Sequence, residues 1–134
     1  MPDTSINMNM RRVDIGTCII DIRGEVSAFA EQVLTDAYTK ASTSTIRTII
    51  LNCTELEYLN SRGIYVLIRL LTHTRRHQQR LLAFGLSEHN RYILEITHLS
   101  RFIESVATET QAVAAAQMTQ KDDNILIRNR IEKG

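Results

Sequence analysis

The sequence predicts an α/β domain built on a mixed, mostly parallel β-sheet of about five strands with about four α-helices. Short apolar runs alternate with segments whose apolar residues recur at helical spacing, which is typical of strands joined by crossover helices. The internal glycines fall at the ends of these segments, and the only proline is Pro2. With 134 residues, the chain suffices for one domain with a proper core but not for two ordinary ones.

The first part of the chain is predicted to be a hairpin followed by a helix. The first strand is indicated by apolar residues that alternate with polar ones, namely Ile6, Met8 and Met10. A turn at 14–16 leads into a returning strand over 17–22, which Gly24 ends. The next segment is a helix with Ser27 as its cap and an apolar face formed by Phe29, Val33, Ala37 and Ala41.

The rest of the domain is predicted to alternate strand and helix. Three more apolar runs give the strands Ile46–Asn52, Leu81–Phe84 and Phe102–Val106. Helices are predicted from Arg62 to about His77, from a Ser87 cap through Ile96, and after a capping box formed by Thr108 and Gln111. The resulting order is β-β-α-β-α-β-α-β-α, in which the crossovers between parallel strands return right-handed.

Composition narrows the classes of function. Sixteen basic and fifteen acidic residues leave a net charge of +1, which argues neither for nor against nucleic acid. A nucleic-acid surface needs aromatic platforms or a broader basic field than the predicted second helix offers, so we expect no nucleic-acid partner. No apolar stretch approaches membrane-spanning length, and the N-terminus lacks a signal pattern. Cys18 and Cys53 lie in apolar runs and indicate buried thiols in a reducing, cytoplasmic setting.

The sequence contains no recognisable catalytic set. There is no phosphate-binding loop with a lysine and no dinucleotide glycine run, so we expect no cofactor and no enzyme activity. His73 and His77 have a spacing that can bind metal, but the arginines between them would repel a cation, so a solvated face is the better interpretation. The four tyrosines are interpreted as packing residues rather than cofactor platforms: Tyr38, Tyr58, Tyr65 and Tyr92.

The turn between the third strand and the second helix carries the strongest functional signal. It reads Asn60-Ser61-Arg62-Gly63, and no acidic residue follows it before Glu88. In an open parallel sheet, ligands and partners meet the fold at such strand-to-helix turns. Ser61 is placed as the helix cap, where a phosphate would face free helix amides. Gly63 has no side chain, so a partner backbone or a nucleotide phosphate could approach it closely.

Three segments resemble the STAS domain of bacterial anti-sigma factor antagonists, over roughly residues 8–116. Gly24-Glu25-Val26-Ser27 is similar to the Gly-Glu-Leu-Asp turn before that family's first helix, and residues 81–85 resemble its fourth strand. Leu59-Asn60-Ser61-Arg62-Gly63-Ile64 is similar to its Asp-Ser-Ser-Gly-Leu turn before the second helix. Asn60 stands where that family has aspartate, and Arg62 where it has a second serine.

The resemblance implies a phosphorylation switch. Ser61 would be phosphorylated by a serine kinase that is also the anti-sigma factor. The unphosphorylated protein would bind that kinase and free the sigma factor for transcription, and a serine phosphatase would restore it. The implied contact surface comprises Asn60, Ser61, Arg62, Gly63 and Tyr65.

A second function fits the same fold. In it, the chain is a STAS scaffold subunit of a larger signalling or transport complex and undergoes no phosphate chemistry.

Residues 1–116 are predicted to form the domain and 117–134 a separate tail, in which Ile125-Leu126-Ile127 follows a charged break. That tail is either frayed or packs as an added element on this domain or on a second copy, which leaves a homodimer open.

Overall fold

The computed structural model describes residues 7–24, 30–41 and 45–118. The strands are β1 Asn7–Asp14, β2 Thr17–Gly24, β3 Thr48–Leu56, β4 Arg80–Phe84 and β5 Ile103–Val106. The helices are α1 Ala30–Ala41, α2 Ser61–Arg76, α3 Glu88–Ile96 and α4, which covers 109–118; a 3₁₀ turn, Leu99–Arg101, precedes β5. The predicted order of elements is therefore confirmed, and the 3₁₀ turn is an addition to it.

The sheet has the strand order β1-β2-β3-β4-β5. β1 and β2 form the predicted antiparallel hairpin, whose turn is closed by the Asp14 side chain, which accepts a hydrogen bond of 2.8 Å from the N–H of Gly16. The pairs β2–β3, β3–β4 and β4–β5 are all parallel. The carboxyl ends of β3 and β4 therefore lie at the same edge of the sheet, where the chain enters α2 and α3.

The sheet is covered on both faces. One face packs against α1, α2 and α3, and the core there includes Ile20, Ile49, Leu51, Val66, Leu67, Leu70, Leu81 and Leu94. The opposite face packs against α4, whose Ala112 and Ala116 are buried on Ile19, Ile50, Leu82 and Phe84. Because β2, β3 and β4 are covered on both sides, they read in the sequence as nearly continuous apolar runs.

Several element boundaries differ from the predictions. β3 continues four residues beyond Asn52, because β2 keeps pairing with it as far as Gly24 opposite Leu56, whereas β4 stops opposite Asn52. The predicted face and cap of α1 fall outside the residues and side chains that the structure describes: Ser27, Phe29, Val33, Ala37 and Ala41. Among the described side chains of α1, those of Leu34 and Tyr38 are buried. The apolar tail segment, within 119–134, is likewise outside the description.

Both predicted helix caps in the second half of the chain are confirmed. The Ser87 hydroxyl accepts a hydrogen bond of 3.1 Å from the N–H of Asn90 at the start of α3. At the start of α4, the Thr108 hydroxyl accepts from the N–H of Gln111, while the Gln111 side chain accepts from the N–H of Thr108. This reciprocal pair is the capping box that the sequence indicates.

The two cysteines are buried and free, as predicted. Burial raises the pKa of the Cys53 thiol to about 12, and burial also raises the pKa of Cys18. Both sulfurs are therefore protonated near neutral pH and act as small apolar core groups rather than as nucleophiles.

A polar network ties β1, β2, β3 and α4 together on the α4 side of the sheet. Arg11 donates two hydrogen bonds to the Asp21 carboxylate, at 2.7 and 2.8 Å, and a third to Glu109 at 2.6 Å. Asn52 donates to the same Asp21 carboxylate at 2.7 Å. Burial alone would raise the pKa of Asp21, but the bonds from Arg11 and Asn52 and the attraction of Arg11 outweigh it and lower that pKa.

The Asp21 network predicts an acid-sensitive contribution to stability. Because the pKa of Asp21 is lower in the fold than its unfolded value of about 3.9, its stabilisation is complete above that value. It is lost as the pH falls through the folded pKa. We therefore expect the free energy of unfolding, measured by urea denaturation, to fall more steeply in wild type than in Asp21→Asn as the pH is lowered below about 4. Parallel pH profiles would contradict this assignment.

Candidate functional site

The start of α2 is capped by Asn60, not by Ser61 as predicted. Asn60 has extended backbone angles, φ −107° and ψ −175°, and its side-chain oxygen accepts a hydrogen bond of 3.0 Å from the N–H of Gly63. Its carbonyl accepts the first helical bond, from the N–H of Ile64 at 2.9 Å. Asparagine and serine cap helices about equally well, so the extended backbone at residue 60 decides which of the two does so here.

Because the cap lies one residue earlier than predicted, the Ser61 side chain does not take part in capping the helix. Ser61 is the first helical residue, its side chain is exposed, and its hydroxyl forms no hydrogen bond within the described part of the chain. The first turn of α2 contains no acidic residue. The hydroxyl therefore lies at the surface at the positive end of a helix dipole, a position that favours an added negative charge.

The other predicted contact residues divide between surface and interior. Arg62 and Tyr65 are exposed, and 52% of the Tyr65 surface is accessible. Gly63 is buried, and its N–H is already bound by the Asn60 cap. The backbone N–H of Gly63 therefore serves the cap in this structure, and its contact with a partner stays a prediction.

The exposed face of α2 is basic along its length. The helix carries no acidic residue, and its exposed residues include Arg62, Arg69, Arg75 and Arg76 together with Ile68. Arg75 also lies over the ring of Phe102, 4.8 Å from its centroid. This face is suited to an acidic protein surface.

Of the two histidines at the C-terminal end of α2, His77, which caps that end, is exposed as predicted, whereas His73 is not. His73 is half-buried and stacks on Tyr38, with 5.9 Å between ring centroids. The His77 Nδ1 atom lies 2.8 Å from the carbonyl oxygen of His73 and 3.2 Å from the Tyr38 hydroxyl. Within 7–24, 30–41 and 45–118, no cluster of three potential metal ligands occurs.

The loop that leads into the site and the helices beside it contain residues whose environment the sequence did not indicate. Tyr58 and Tyr92 are exposed, as is Tyr65, so of the four tyrosines only Tyr38 is a packing residue as predicted. Asn90, from α3, is completely buried against this loop. The sequence offers no signal for that burial, because an asparagine in a first helical turn looks like an ordinary surface residue.

The cap assignment predicts different losses of stability for two neighbouring substitutions. Asn60→Ala removes the bond to the N–H of Gly63 and is expected to lower the free energy of unfolding by about 1 kcal/mol. Ser61→Ala removes a hydroxyl that bonds to no described residue, so we expect a change within about 0.5 kcal/mol. Urea denaturation of both variants measures the difference. A larger loss of stability in Ser61→Ala than in Asn60→Ala would show that Ser61, and not Asn60, caps the helix.

Comparison with known proteins identifies the family. Residues 8–113, most of the chain, match the STAS domain. The chain belongs to the STAS domain family. A relative of this STAS domain, the anti-sigma-B factor antagonist of Listeria monocytogenes, is 27% identical over 100 residues, which cover 75% of this chain and 88% of that protein.

Solved structures share the fold of this STAS domain. The anti-sigma factor antagonist SpoIIAA of Bacillus matches in its unphosphorylated form with a TM-score of 0.68 and 19% identity, over 83% of this chain and 96% of that one. Its phosphorylated form matches with a TM-score of 0.64 and 20% identity, over 81% and 98% of the two chains. A sulfate transporter family protein from Wolinella succinogenes matches with a TM-score of 0.70 and 16% identity, over 83% and 93%.

The STAS fold expected from the sequence is thus confirmed, with five strands in a mostly parallel sheet. The fold occurs in a sigma-factor regulator and in a transporter family protein, so it does not select a function by itself. The function has to be argued from the residues at the start of α2. No helix in the described part of this STAS domain has the length and apolar character needed to cross a membrane.

Proposed function

We propose that this STAS domain is an anti-sigma factor antagonist that binds an anti-sigma serine kinase and is switched by phosphorylation of Ser61. The observation that carries the proposal is the exposed Ser61 side chain at the first position of α2, left uncommitted because Asn60 caps the helix. The Listeria relative, itself an anti-sigma-B factor antagonist, supports the same function. The setting would be the cytoplasm, where sigma factors act.

The proposed step is a phosphoryl transfer from ATP held by the kinase. The Ser61 Oγ atom forms a bond to the γ-phosphorus as the bond to the leaving ADP oxygen breaks, and a base of the kinase takes the hydroxyl proton. A serine phosphatase reverses the modification by hydrolysis, which releases inorganic phosphate and restores the hydroxyl. This STAS domain contributes the acceptor and its position, and the kinase contributes the catalytic groups.

The phosphate would act on binding rather than on folding. It adds about −1.5 to −2 charges at pH 7 at a surface position. Within the domain, that charge meets the positive end of α2 and the neighbouring exposed Arg62, with no acidic residue in the first turn. The fold is thus compatible with both states, while a kinase surface shaped for a neutral hydroxyl would be repelled or displaced.

The two departures from the family's motif agree with this geometry. Asn60 keeps the acceptor oxygen needed for the cap, so the loss of a carboxylate leaves the helix start intact. Arg62 is exposed one residue after the acceptor, where it can approach a phosphate on Ser61. We propose that Asn60, Arg62 and Tyr65 form the surface around Ser61 that the kinase contacts.

The alternative is a scaffold role in a larger signalling or transport complex. The observation that favours it is the shared fold of the Wolinella transporter family protein. A scaffold needs no acceptor hydroxyl, so Ser61→Ala would retain full activity in the cell. An antagonist locked in its unphosphorylated form would instead keep the sigma-dependent genes active without the normal signal.

Phosphorylation by the purified anti-sigma kinase of the same host tests the proposal. Wild type, Ser61→Ala and Ser105→Ala are incubated with kinase and labelled ATP; Ser105 is an exposed serine on β5 and serves as the matched control. We expect about one phosphate per chain in wild type and in Ser105→Ala, and none in Ser61→Ala. Equal labelling of Ser61→Ala, or no labelling of wild type, would contradict the proposal.

A further inference from the structure

The loop before Ser61 is held by a side chain that the proposed switch does not otherwise use. Asn90, in the first turn of α3, has no exposed surface. Its Oδ1 atom accepts a hydrogen bond of 2.9 Å from the N–H of Leu59, and its Nδ2 atom donates one of 3.1 Å to the carbonyl of Glu57. Its own N–H is bound by the Ser87 cap, so the side chain is fixed at its base.

Asn90 thus takes the place of a neighbouring strand. β3 ends at Leu56, and the next residues still have backbone groups that need partners. The N–H of Glu57 donates to the carbonyl of Gly24 at 2.9 Å, on the β2 side. On the α3 side, the Asn90 side-chain amide supplies hydrogen bonds to the N–H of Leu59 and the carbonyl of Glu57. The segment is therefore tied to both of its neighbours until the Asn60 cap begins α2.

This double attachment also sets which side chains face the solvent. Leu59 is buried in the core, whereas 70% of Tyr58 is exposed. The centroid of the Tyr58 ring lies 4.6 Å from that of His89, the residue before Asn90 on α3. α3 therefore holds the loop through its buried amide and supports the exposed aromatic ring that the loop presents.

We infer that Asn90 is a positioning residue for the Ser61 switch, an inference that rests on the proposed function. The bonds of Asn90 end at Leu59, two residues before Ser61, with the Asn60 cap between them. A loop fixed before docking avoids the entropy cost of being ordered by the kinase. It also holds the acceptor oxygen in place, and acceptor misplacement by about 1 Å can cost 10²-fold in rate.

Asn90→Ala and a matched control separate positioning from simple destabilisation. The control is Tyr38→Phe, which removes another buried hydrogen bond, the 2.6 Å bond from the Tyr38 hydroxyl to Gln79. Hydrogen exchange of the Leu59 amide is compared with that of Ile50 in the centre of β3. The kcat/KM for phosphorylation of Ser61 is then measured for each variant, with wild type as reference.

For Asn90→Ala, we compare the ratio of variant to wild-type exchange rate at two amides. We expect this ratio to be about tenfold larger at the Leu59 amide than at the Ile50 amide. In Tyr38→Phe the two amides should shift by the same factor. We expect kcat/KM to fall about tenfold in Asn90→Ala and to stay within about twofold in Tyr38→Phe.

Leu59 exchange that follows Ile50, or a kcat/KM for Asn90→Ala equal to that of Tyr38→Phe, would overturn the inference. The exchange measurement needs no kinase. If wild type is not phosphorylated at all, the proposed function fails, while the Leu59 result still decides whether Asn90 fixes this loop.

Discussion

Ser61→Asp is expected to weaken binding to the anti-sigma kinase about 100-fold or more while leaving the domain at least as stable as wild type. The loss follows because a carboxylate replaces a neutral hydroxyl at the centre of the proposed contact. Stability is kept because Ser61 is the first residue of α2, where a negative charge interacts favourably with the helix dipole. Isothermal titration with the purified kinase and thermal unfolding measure the two effects separately.

Thr110→Asp is the control for charge. Thr110 is exposed in the first turn of α4, so the substitution adds the same charge to a comparable position on a different helix. It should leave kinase binding unchanged within about twofold. An equal loss of binding in both variants would show that net charge, and not the position of Ser61, controls the complex. If Ser61→Asp binds the kinase as tightly as wild type does, the result would favour the scaffold role.

Gly85→Ala is expected to be the most destabilising small substitution in the described part of the fold, at about 2–4 kcal/mol. Gly85 follows β4 with φ +74°, a conformation that L-residues adopt at a cost. An added Cβ would also collide with the Thr54 side chain and lie 3.1 Å from the Thr54 Cα. Urea denaturation of the variant measures the loss directly.

Gly24→Ala separates the two causes. Gly24 has a similar φ of +87°, but an added Cβ there meets no described residue within 4 Å, so only the backbone cost of about 1 kcal/mol is expected. Thr54→Ser removes the colliding methyl and keeps the hydroxyl bonded to Asn52, so it should recover part of the loss in Gly85→Ala. Equal losses for the two alanine variants, with no recovery by Thr54→Ser, would show that the collision does not occur.

The order of elements was predictable because the chain's local patterns agree with its tertiary environment. β2, β3 and β4 are buried on both faces, so their apolar runs are nearly continuous. The Ser87 cap and the Thr108 capping box are local signals, and local bonds satisfy them. The end of β3 was missed because Thr54 and Glu55 are exposed there, beyond the paired end of β4, and so carry no apolar pattern.

The site was predictable in its place but not in its detail. The polar turn after a buried strand was expected between β3 and α2, where the structure has it, and the resemblance indicated Ser61. Sequence alone could not choose between Asn60 and Ser61 as the cap, because the backbone angles of residue 60 decide it. The role of Asn90 was equally hidden, since its partner Leu59 lies 31 residues earlier in the chain. Such a contact exists only once β3 and α3 are brought together.

The most direct measurement is mass spectrometry of this protein purified from its native host with phosphatases inhibited. Trypsin releases residues 48–62 as one peptide that contains Ser61 together with Thr48, Thr54 and Tyr58, and fragment ions distinguish these hydroxyls. We expect phosphate on Ser61 in a fraction of the chains, and a change in that fraction when the kinase is deleted. A peptide that stays unmodified, or one that carries its phosphate on another hydroxyl, would contradict the Ser61 switch.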